Sequence, residues 1–326
     1  MKYSLIVPAY NVENFIANTL DSIFGQTYKD YEVIVVNDGS TDNTLMIVEK
    51  YKEQYSREIN IITQENGGLG AARNTGMLAS KGEFLFFIDS DDTIEKDALE
   101  KINTVIEREN SDIVMFNNRL VDMEGNTIEI EKVWDLDSNI TLQSHKSLLL
   151  CNPSACNKVI RKSLFIENDI KFPGKVWYED LQTITKLYPW AKKISYLDEP
   201  LYIYLQRPGS IMNTKRVDRT VEVINAIEVV RNYYKSIRQF ECYKEEIEFL
   251  TVFHVFIGMP VRVVKIDRKS KYLNDFYEYT EKYYPNFEEN QYVKQLPKSE
   301  KLKIKLLKRK WYLCLYFILK IKNSLG

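Results

Sequence analysis

The first 120 residues alternate regularly between two kinds of segment. Short runs rich in Val, Ile, Phe and Tyr lie at 4–10, 31–37, 59–63, 84–88 and 113–116. Between them run stretches whose apolar residues recur at helical spacing, such as Phe15, Ile16, Leu20 and Ile23 within 14–24. Residues 41–55, 70–80 and 93–107 read as further helices, the first with Ser40 or Thr41 at its N-cap. Strands separated by helices predict an α/β fold: a Rossmann-like, mostly parallel sheet with helices on both faces.

Beyond Asn117 the pattern changes. Asp122-Met123-Glu124-Gly125-Asn126 reads as a hairpin turn, 179–190 as a helix and 194–205 as a strand. Residues 220–266 read as largely helical, with a break expected at Gly258-Met259-Pro260. The expected organisation is a body of 1–215, with halves 1–120 and 121–215, followed by a helical region 216–326. That region ends in a basic amphipathic tail at 298–322.

A 44% hydrophobic, 28% charged composition over 326 residues is that of a globular chain able to bury a core without disulfides. Cys151, Cys156, Cys242 and Cys314 show no C-x-x-C spacing, against a zinc ribbon or thioredoxin-type site. No apolar run reaches the 18 or so residues of a spanning helix, and residues 4–7 enter a strand where a leader would carry its apolar stretch. A reducing, cytoplasmic setting is the expectation. The net charge of -1 hides an asymmetry, because residues 294–326 hold ten Lys or Arg against one acid, Glu300. The rest of the chain is therefore acidic, which argues against general nucleic-acid binding.

In an open parallel sheet, ligands bind beyond the C-terminal ends of the strands. Four such ends are polar here: Pro8-Ala9-Tyr10-Asn11, Asn37-Asp38-Gly39-Ser40-Thr41-Asp42, the segment from Glu65 to Asn74, and Asp89-Ser90-Asp91-Asp92. On an extended segment Asp89 and Asp91 point the same way, and two carboxylates facing one spot call for a cation. Oxygen ligands suit Mg²⁺ or Mn²⁺. Asp92 or Thr93 reads as a helix cap, with Glu95 completing a capping box from Asp92. Asp38 suits either a nucleoside contact or an ordinary turn before Gly39. Gly67, Gly68 and Gly70 permit close approach of backbone to a ligand, and Arg73 supplies a fork for phosphate or a base. The segment ends in neither a Walker A signature nor G-x-G-x-x-G.

These four motifs, in this order and spacing, resemble the family-2 glycosyltransferases of GT-A fold, of the bacterial capsule and exopolysaccharide type. The likeness continues through Glu179-Asp180 and Arg207-Pro208-Gly209-Ser210-Ile211-Met212 and fades after about residue 220. The resemblance implies an inverting, metal-dependent hexosyl or N-acetylhexosaminyl transfer from a UDP-sugar to a glycan hydroxyl. It implies uridine contacts from Pro8, Tyr10 and Asp38, and Arg73 near the base or phosphates with Gly68 beside it. Asp89 would reach the ribose or the metal, Asp91 would ligate Mn²⁺ or Mg²⁺, and Asp180 would be the general base. Arg207 and Ser210 would steady the diphosphate. A carboxylate at a helix N-terminus, as Asp180 is expected to be, should have its pKa lowered by the helix dipole.

The tail joins Lys298, Lys301, Lys303, Lys305, Lys308, Arg309 and Lys310 to an apolar run from Trp311 to Leu319. It suits a helix in the headgroup layer of an anionic membrane, or one packed on the protein or on a second copy in a homodimer. Membrane contact fits a lipid-linked acceptor in bacterial surface polysaccharide synthesis at the inner face of the cell membrane. The competing readings are a nucleotidyltransferase, with no need of Glu179-Asp180, and an inactive glycosyltransferase-like partner subunit.

Overall fold

The structure, a computed structural model, describes residues 1–56, 58–133, 139–207 and 215–324. Within these residues the chain forms two compact units. One holds residues up to 145 and 151–207; the other holds 146–150 and 215–324.

The first unit comprises β1 (Tyr3–Ala9), α1 (Ile16–Phe24), β2 (Tyr31–Asn37), α2 (Thr44–Gln54), β3 (Ile59–Thr63), α3 (Leu69–Ala79), β4 (Phe84–Phe87), β5 (Thr93–Ile94), α4 (Ala98–Glu109), β6 (Ile113–Val121), β7 (Thr127–Glu131), β8 (Lys158–Arg161), α5 (Ser163–Ile166), α6 (Glu179–Ile184) and β9 (Ile194–Leu205). The sheet order is β3-β2-β1-β4-β8-β6-β9-β5, with β7 also on β6. Strands β3, β2, β1 and β4 are parallel to their neighbours among themselves, β8 runs antiparallel between β4 and β6, and β9 is parallel to β6. Every residue of β1, β2 and β4 is buried, as expected where both faces of a sheet are covered. The chain runs outward from β1 through β2 to β3, then returns to the other side of β1 as β4. That reversal opens a crevice at the C-terminal ends of β1 and β4.

The helix expected at 93–107 begins later, at Ala98, because Thr93 and Ile94 pair with Ile203 and Tyr202 of β9. The helix expected at 179–190 stops at Ile184; a separate 3₁₀ turn at Tyr188–Trp190 contains Pro189, which cannot extend a helix. The glycine-rich segment packs against its own chain. Gly68 has φ +84, and a Cβ there would lie 2.9 Å from the Lys175 amide nitrogen; a Cβ on Gly70 would lie 2.0 Å from the Pro173 carbonyl oxygen. These glycines allow backbone to approach backbone, so the segment 172–175 rests on the start of α3.

The second unit comprises α7 (Val217–Thr220), α8 (Glu222–Ser236), α9 (Lys244–Leu250), α10 (Met259–Ile266), α11 (Tyr272–Tyr283), α12 (Gln291–Gln295), α13 (Lys298–Lys308) and α14 (Tyr312–Ser324). The break expected at Gly258-Met259-Pro260 is absorbed without interrupting the helix. A π-helical stretch, Thr251–Gly258, joins α9 to α10, and its wider turn frees the carbonyl that the Pro260 ring would otherwise strike. Contrary to the expectation that no segment would be long and apolar enough to cross a membrane, Phe240–Ile266 passes that test by length and composition. Its most apolar window is 61% buried within the protein, so it serves as a core helix of this unit. His254 lies within it, and burial pushes its imidazole down to about 4. The tail is two helices, not one. Lys310, at φ 53, turns the chain between α13 and α14.

Gly70→Ala is expected to destabilise the first unit by about 1–3 kcal/mol, since the new methyl meets backbone that cannot yield. The lower urea midpoint of its unfolding transition, at unchanged slope, is the measurement.

Candidate active site

The crevice is built first by ties between strand ends. Pro8 is buried in β1 opposite Val36, and Tyr10, just beyond it, is 49% exposed. Asn11 adopts a left-handed backbone (φ 51). Its Oδ1 accepts the Thr41 amide at 2.8 Å, and its own amide donates to Ser40 Oγ at 3.1 Å. The ends of β1 and β2 are thereby joined. Asp38 is buried, and its Oδ1 accepts Gln64 Nε2 at 2.7 Å and the Gly67 amide at 2.8 Å. Its Oδ2 accepts the Gly68 amide at 2.8 Å. A carboxylate offers about four acceptor positions, so Asp38 organises the glycine-rich segment and keeps capacity on Oδ2.

The acids after β4 do not lie on an extended segment. The Asp92 amide donates to the Asp89 carbonyl at 3.0 Å, closing a turn. Asp92 is not a helix cap. Its Oδ2 accepts Tyr202 Oη at 2.7 Å and its Oδ1 accepts the Leu205 amide at 2.8 Å, while the Asp89 amide donates to the same Tyr202 hydroxyl at 3.1 Å. The turn is pinned to β9 because β9 supplies two donors to a carboxylate that burial has stripped of water. Burial, with the charges of Asp91 and Asp89 behind it, pushes the Asp92 carboxyl well up.

Two turn residues then point to two different cations. Asp91 Oδ2 accepts Arg207 Nε at 2.6 Å, and the Arg207 guanidinium lies 4.7 Å from the Phe15 ring centroid. Burial, and then the charge of Asp89, raise the Asp91 carboxyl despite Arg207. The pocket is short of positive charge, which fits a hard divalent cation beside these two acids. Among the described residues no cluster of three or more His, Cys, Asp or Glu is arranged to hold a metal.

Asp89 turns to Arg73. This side chain is 1% exposed and lies in the middle of α3. Its Nη2 donates to Asp89 Oδ1 at 3.0 Å; its Nη1 donates to Asp180 Oδ1 at 2.5 Å and to Glu179 Oε1 at 3.2 Å. The Phe172 ring lies 5.4 Å from the guanidinium carbon, and Cys156 Sγ is 3.8 Å from Nη2. Arg73 thus faces three carboxylates, those of Asp89, Glu179 and Asp180. The second oxygen of Asp180 accepts the Ala155 amide at 3.0 Å. Burial pushes Glu179 up to about 7, with Asp180 adding to the shift and Arg73 opposing it. Asp180 is likewise raised by burial, with Arg73 opposing. The lowering expected from the helix dipole is overturned, because α6 is six residues long and desolvation outweighs its field.

The structure gathers Asp38, Gly68, Arg73, Asp89, Asp91, Asp180 and Arg207 along one edge of the sheet, with Pro8 and Tyr10 at the neighbouring strand end. Ser210 lies outside the described residues. Sequence patterns did not point to Tyr202, Gln64, the Ala155 amide or Lys158. Tyr202 sits in a strand that reads as ordinary, and an amide hydrogen has no sequence signature.

The pattern of Glycosyl transferase family 2 matches residues 4–168. The poly(ribitol-phosphate) β-N-acetylglucosaminyltransferase TarS of Staphylococcus aureus (strain Mu50 / ATCC 700699) is 33% identical over 240 residues, covering 69% of this chain and 41% of that protein. The putative glycosyltransferase EpsH of Bacillus subtilis (strain 168) is 32% identical over 267 residues, covering 78% of this chain and 76% of that protein. The crystal structure of S. aureus TarS 1–349 in complex with UDP superposes with a TM-score of 0.68 at 23% identity, covering 95% of this chain and 91% of that one. This last likeness is one of fold. The sheet, its helices and the crevice are those of the GT-A class, and the chain belongs to glycosyl transferase family 2. It spans less than half the length of TarS.

A carboxyl raised on folding holds its proton more tightly in the folded chain. Glu179 therefore contributes stability at low pH that is lost as pH rises from its ordinary 4.5 through about 7. Glu179→Gln is expected to exceed the parent in stability by on the order of 1–3 kcal/mol at about pH 8, and to lose that advantage near pH 4.5. Urea midpoints measured across this range check the sign.

Proposed function

We propose that the chain is an inverting glycosyltransferase that moves a hexosyl or N-acetylhexosaminyl group from a UDP-sugar to a hydroxyl of a bacterial surface glycan. The observation that carries the reading is the Arg73 cluster. It ties Asp89, at the nucleotide-binding strand ends, to Asp180, which stands beside it at the start of α6. The TarS name, with its N-acetylglucosaminyl transfer, and the UDP held in the TarS structure support the substrate class.

In this reading Pro8, Tyr10 and Asp38 receive the uridine: exposed Tyr10 offers a ring face and Asp38 its remaining acceptor capacity. Asp91, with Asp89, would hold Mn²⁺ or Mg²⁺. That ion supplies charge to offset the negative charge growing on the leaving diphosphate. Arg207, already beside Asp91, adds a second cation there, and Ser210 follows it in the chain. Asp180 accepts the proton of the acceptor hydroxyl as its oxygen bonds to the anomeric carbon. The bond from that carbon to the diphosphate oxygen breaks on the opposite face, so configuration inverts. Arg73 lies nearer Asp180, at 2.5 Å, than Glu179, at 3.2 Å, and this closer cation favours the ionised form of Asp180.

The test is nucleotide release from a panel of UDP-, GDP- and dTDP-sugars with Mn²⁺. Release from one UDP-sugar is expected, falling at least about a hundredfold in Asp91→Ala and Asp180→Asn. Asp180→Asn should still show the rise in melting temperature that UDP and Mn²⁺ give the parent. Pyrophosphate release from a nucleoside triphosphate would instead favour a nucleotidyltransferase. UDP binding without transfer to any glycan would make the chain a partner subunit.

The tail carries a second part of the proposal, peripheral contact with an anionic membrane. Ile304, Leu306, Leu307, Leu315 and Leu319 are buried, while Leu302, Trp311, Leu313, Phe317, Ile318 and Ile321 are exposed. Lys298, Lys301, Lys305 and Lys320 are exposed on the same two helices, and Arg309 and Lys310 in the turn between them. Like charge disfavours stacking this face on its copy, whereas each basic residue near anionic lipid adds about 1 kcal/mol. This fits a lipid-linked acceptor. Deleting the tail would open the core, so the exposed residues are the ones to change. Trp311→Ser with Phe317→Ser is expected to abolish co-sedimentation with phosphatidylglycerol vesicles while nucleotide release in solution persists. Undiminished co-sedimentation would refute the contact.

A further inference from the structure

We propose that Lys158 is a positioning residue for Asp180, folding the loop before β8 so that the Ala155 amide holds the second oxygen of the base. The inference rests on reading Asp180 as that base.

Lys158 opens β8 opposite Met115 and is fully buried. Its Nζ donates to the Asn152 carbonyl at 2.8 Å, to the Ser154 carbonyl at 2.8 Å and to Asn157 Oδ1. An ammonium has three hydrogens, and three oxygens of one short loop take them. None of the three is a carboxylate. Burial pushes the Lys158 amine down to about 8, and an apolar side chain of similar length would fill the same space at no such cost. What the ammonium adds is a fixed loop. Residues 152–157 curl around it, and their other bonds close locally: Asn152 Oδ1 accepts the Ser154 amide at 2.9 Å and Ser154 Oγ accepts the Cys156 amide at 3.1 Å. Asn152 Nδ2 ties the loop to Glu131 at 3.0 Å.

Ala155 sits between these two closures, and its amide is turned outward to Asp180 Oδ2 at 3.0 Å. Arg73 alone would leave the carboxylate free to swing about its Oδ1 contact. With both oxygens held, the plane of the carboxylate is set, and with it the direction in which it meets an incoming hydroxyl. Side-chain orientation of this kind governs the chemical step more than substrate affinity, and displacement of about 1 Å can cost about a hundredfold in rate. The charged groups facing Asp180 are Arg73 from α3, Asp89 from the end of β4, Glu179 from α6 and Lys158 from β8.

Two variants test the inference on the full chain, with the UDP-sugar that the parent hydrolyses fastest as probe. Lys158→Met removes the ammonium; Ala155→Pro removes the one amide hydrogen and leaves Lys158 in place. Each is expected to lower kcat at least about tenfold with KM for the UDP-sugar changed less than about twofold. The acid limb of the rate profile should move to higher pH, because Asp180 loses a hydrogen bond to its ionised form. The Asp180 carboxyl carbon, followed by ¹³C NMR, should titrate at correspondingly higher pH, a readout that needs no turnover. Should Lys158→Met not fold, Lys158→Gln takes its place beside Ala155→Pro, with the UDP-induced rise in melting temperature showing an intact nucleotide site. A folded variant with parental kcat and an unmoved Asp180 titration would overturn the positioning role. Full activity in Asp180→Asn would instead remove the base reading, a separate failure.

Discussion

The buried guanidinium of Arg73 is the interaction on which the rest of the site depends. A charge 1% exposed would be untenable without partners, since desolvation costs several kcal/mol per ion. Its partners come from two other elements, Asp89 after β4 and Glu179 with Asp180 opening α6. Three carboxylates around one cation leave an excess of negative charge in a poor dielectric. Burial, with that excess behind it, raises both Glu179 and Asp180 against the pull of Arg73.

A second anchor sets the turn of aspartates. Tyr202 donates to Asp92 and accepts from the Asp89 amide, so β9 dictates where that turn stands. From there Asp89 reaches Arg73 and Asp91 reaches Arg207. The glycines of the preceding segment serve the same end. Gly68 and Gly70 let the 172–175 stretch lie against α3, and that stretch leads directly to Tyr178, left-handed at φ 66, and to Glu179. Position and charge in the crevice are set by packing that lies behind it.

Much of this was legible in the sequence. The runs at 31–37, 59–63 and 194–205 match β2, β3 and β9, because alternation and β-branching are local properties. The hairpin at Asp122–Asn126 followed from turn chemistry, and Asp122 Oδ1 does accept the Glu124 and Asn126 amides. What misled was equally local. Asp92 and Glu95 have the spacing of a capping box, yet the short β5 intervenes and Asp92 bonds to β9. Pro260 predicts a break, yet a π-turn absorbs it. The pKa expected for Asp180 considered its helix and not its burial.

The sequence by itself determined the class of fold and the polar, acid-rich character of the strand ends, because periodicity and residue type act over a few neighbours. Tertiary structure alone decided which charges meet. Arg73 finds Asp180 across 107 positions and Asp92 finds Tyr202 across 110. Protonation follows from those meetings, since burial and nearby charge are properties of the packed chain and no local pattern encodes them.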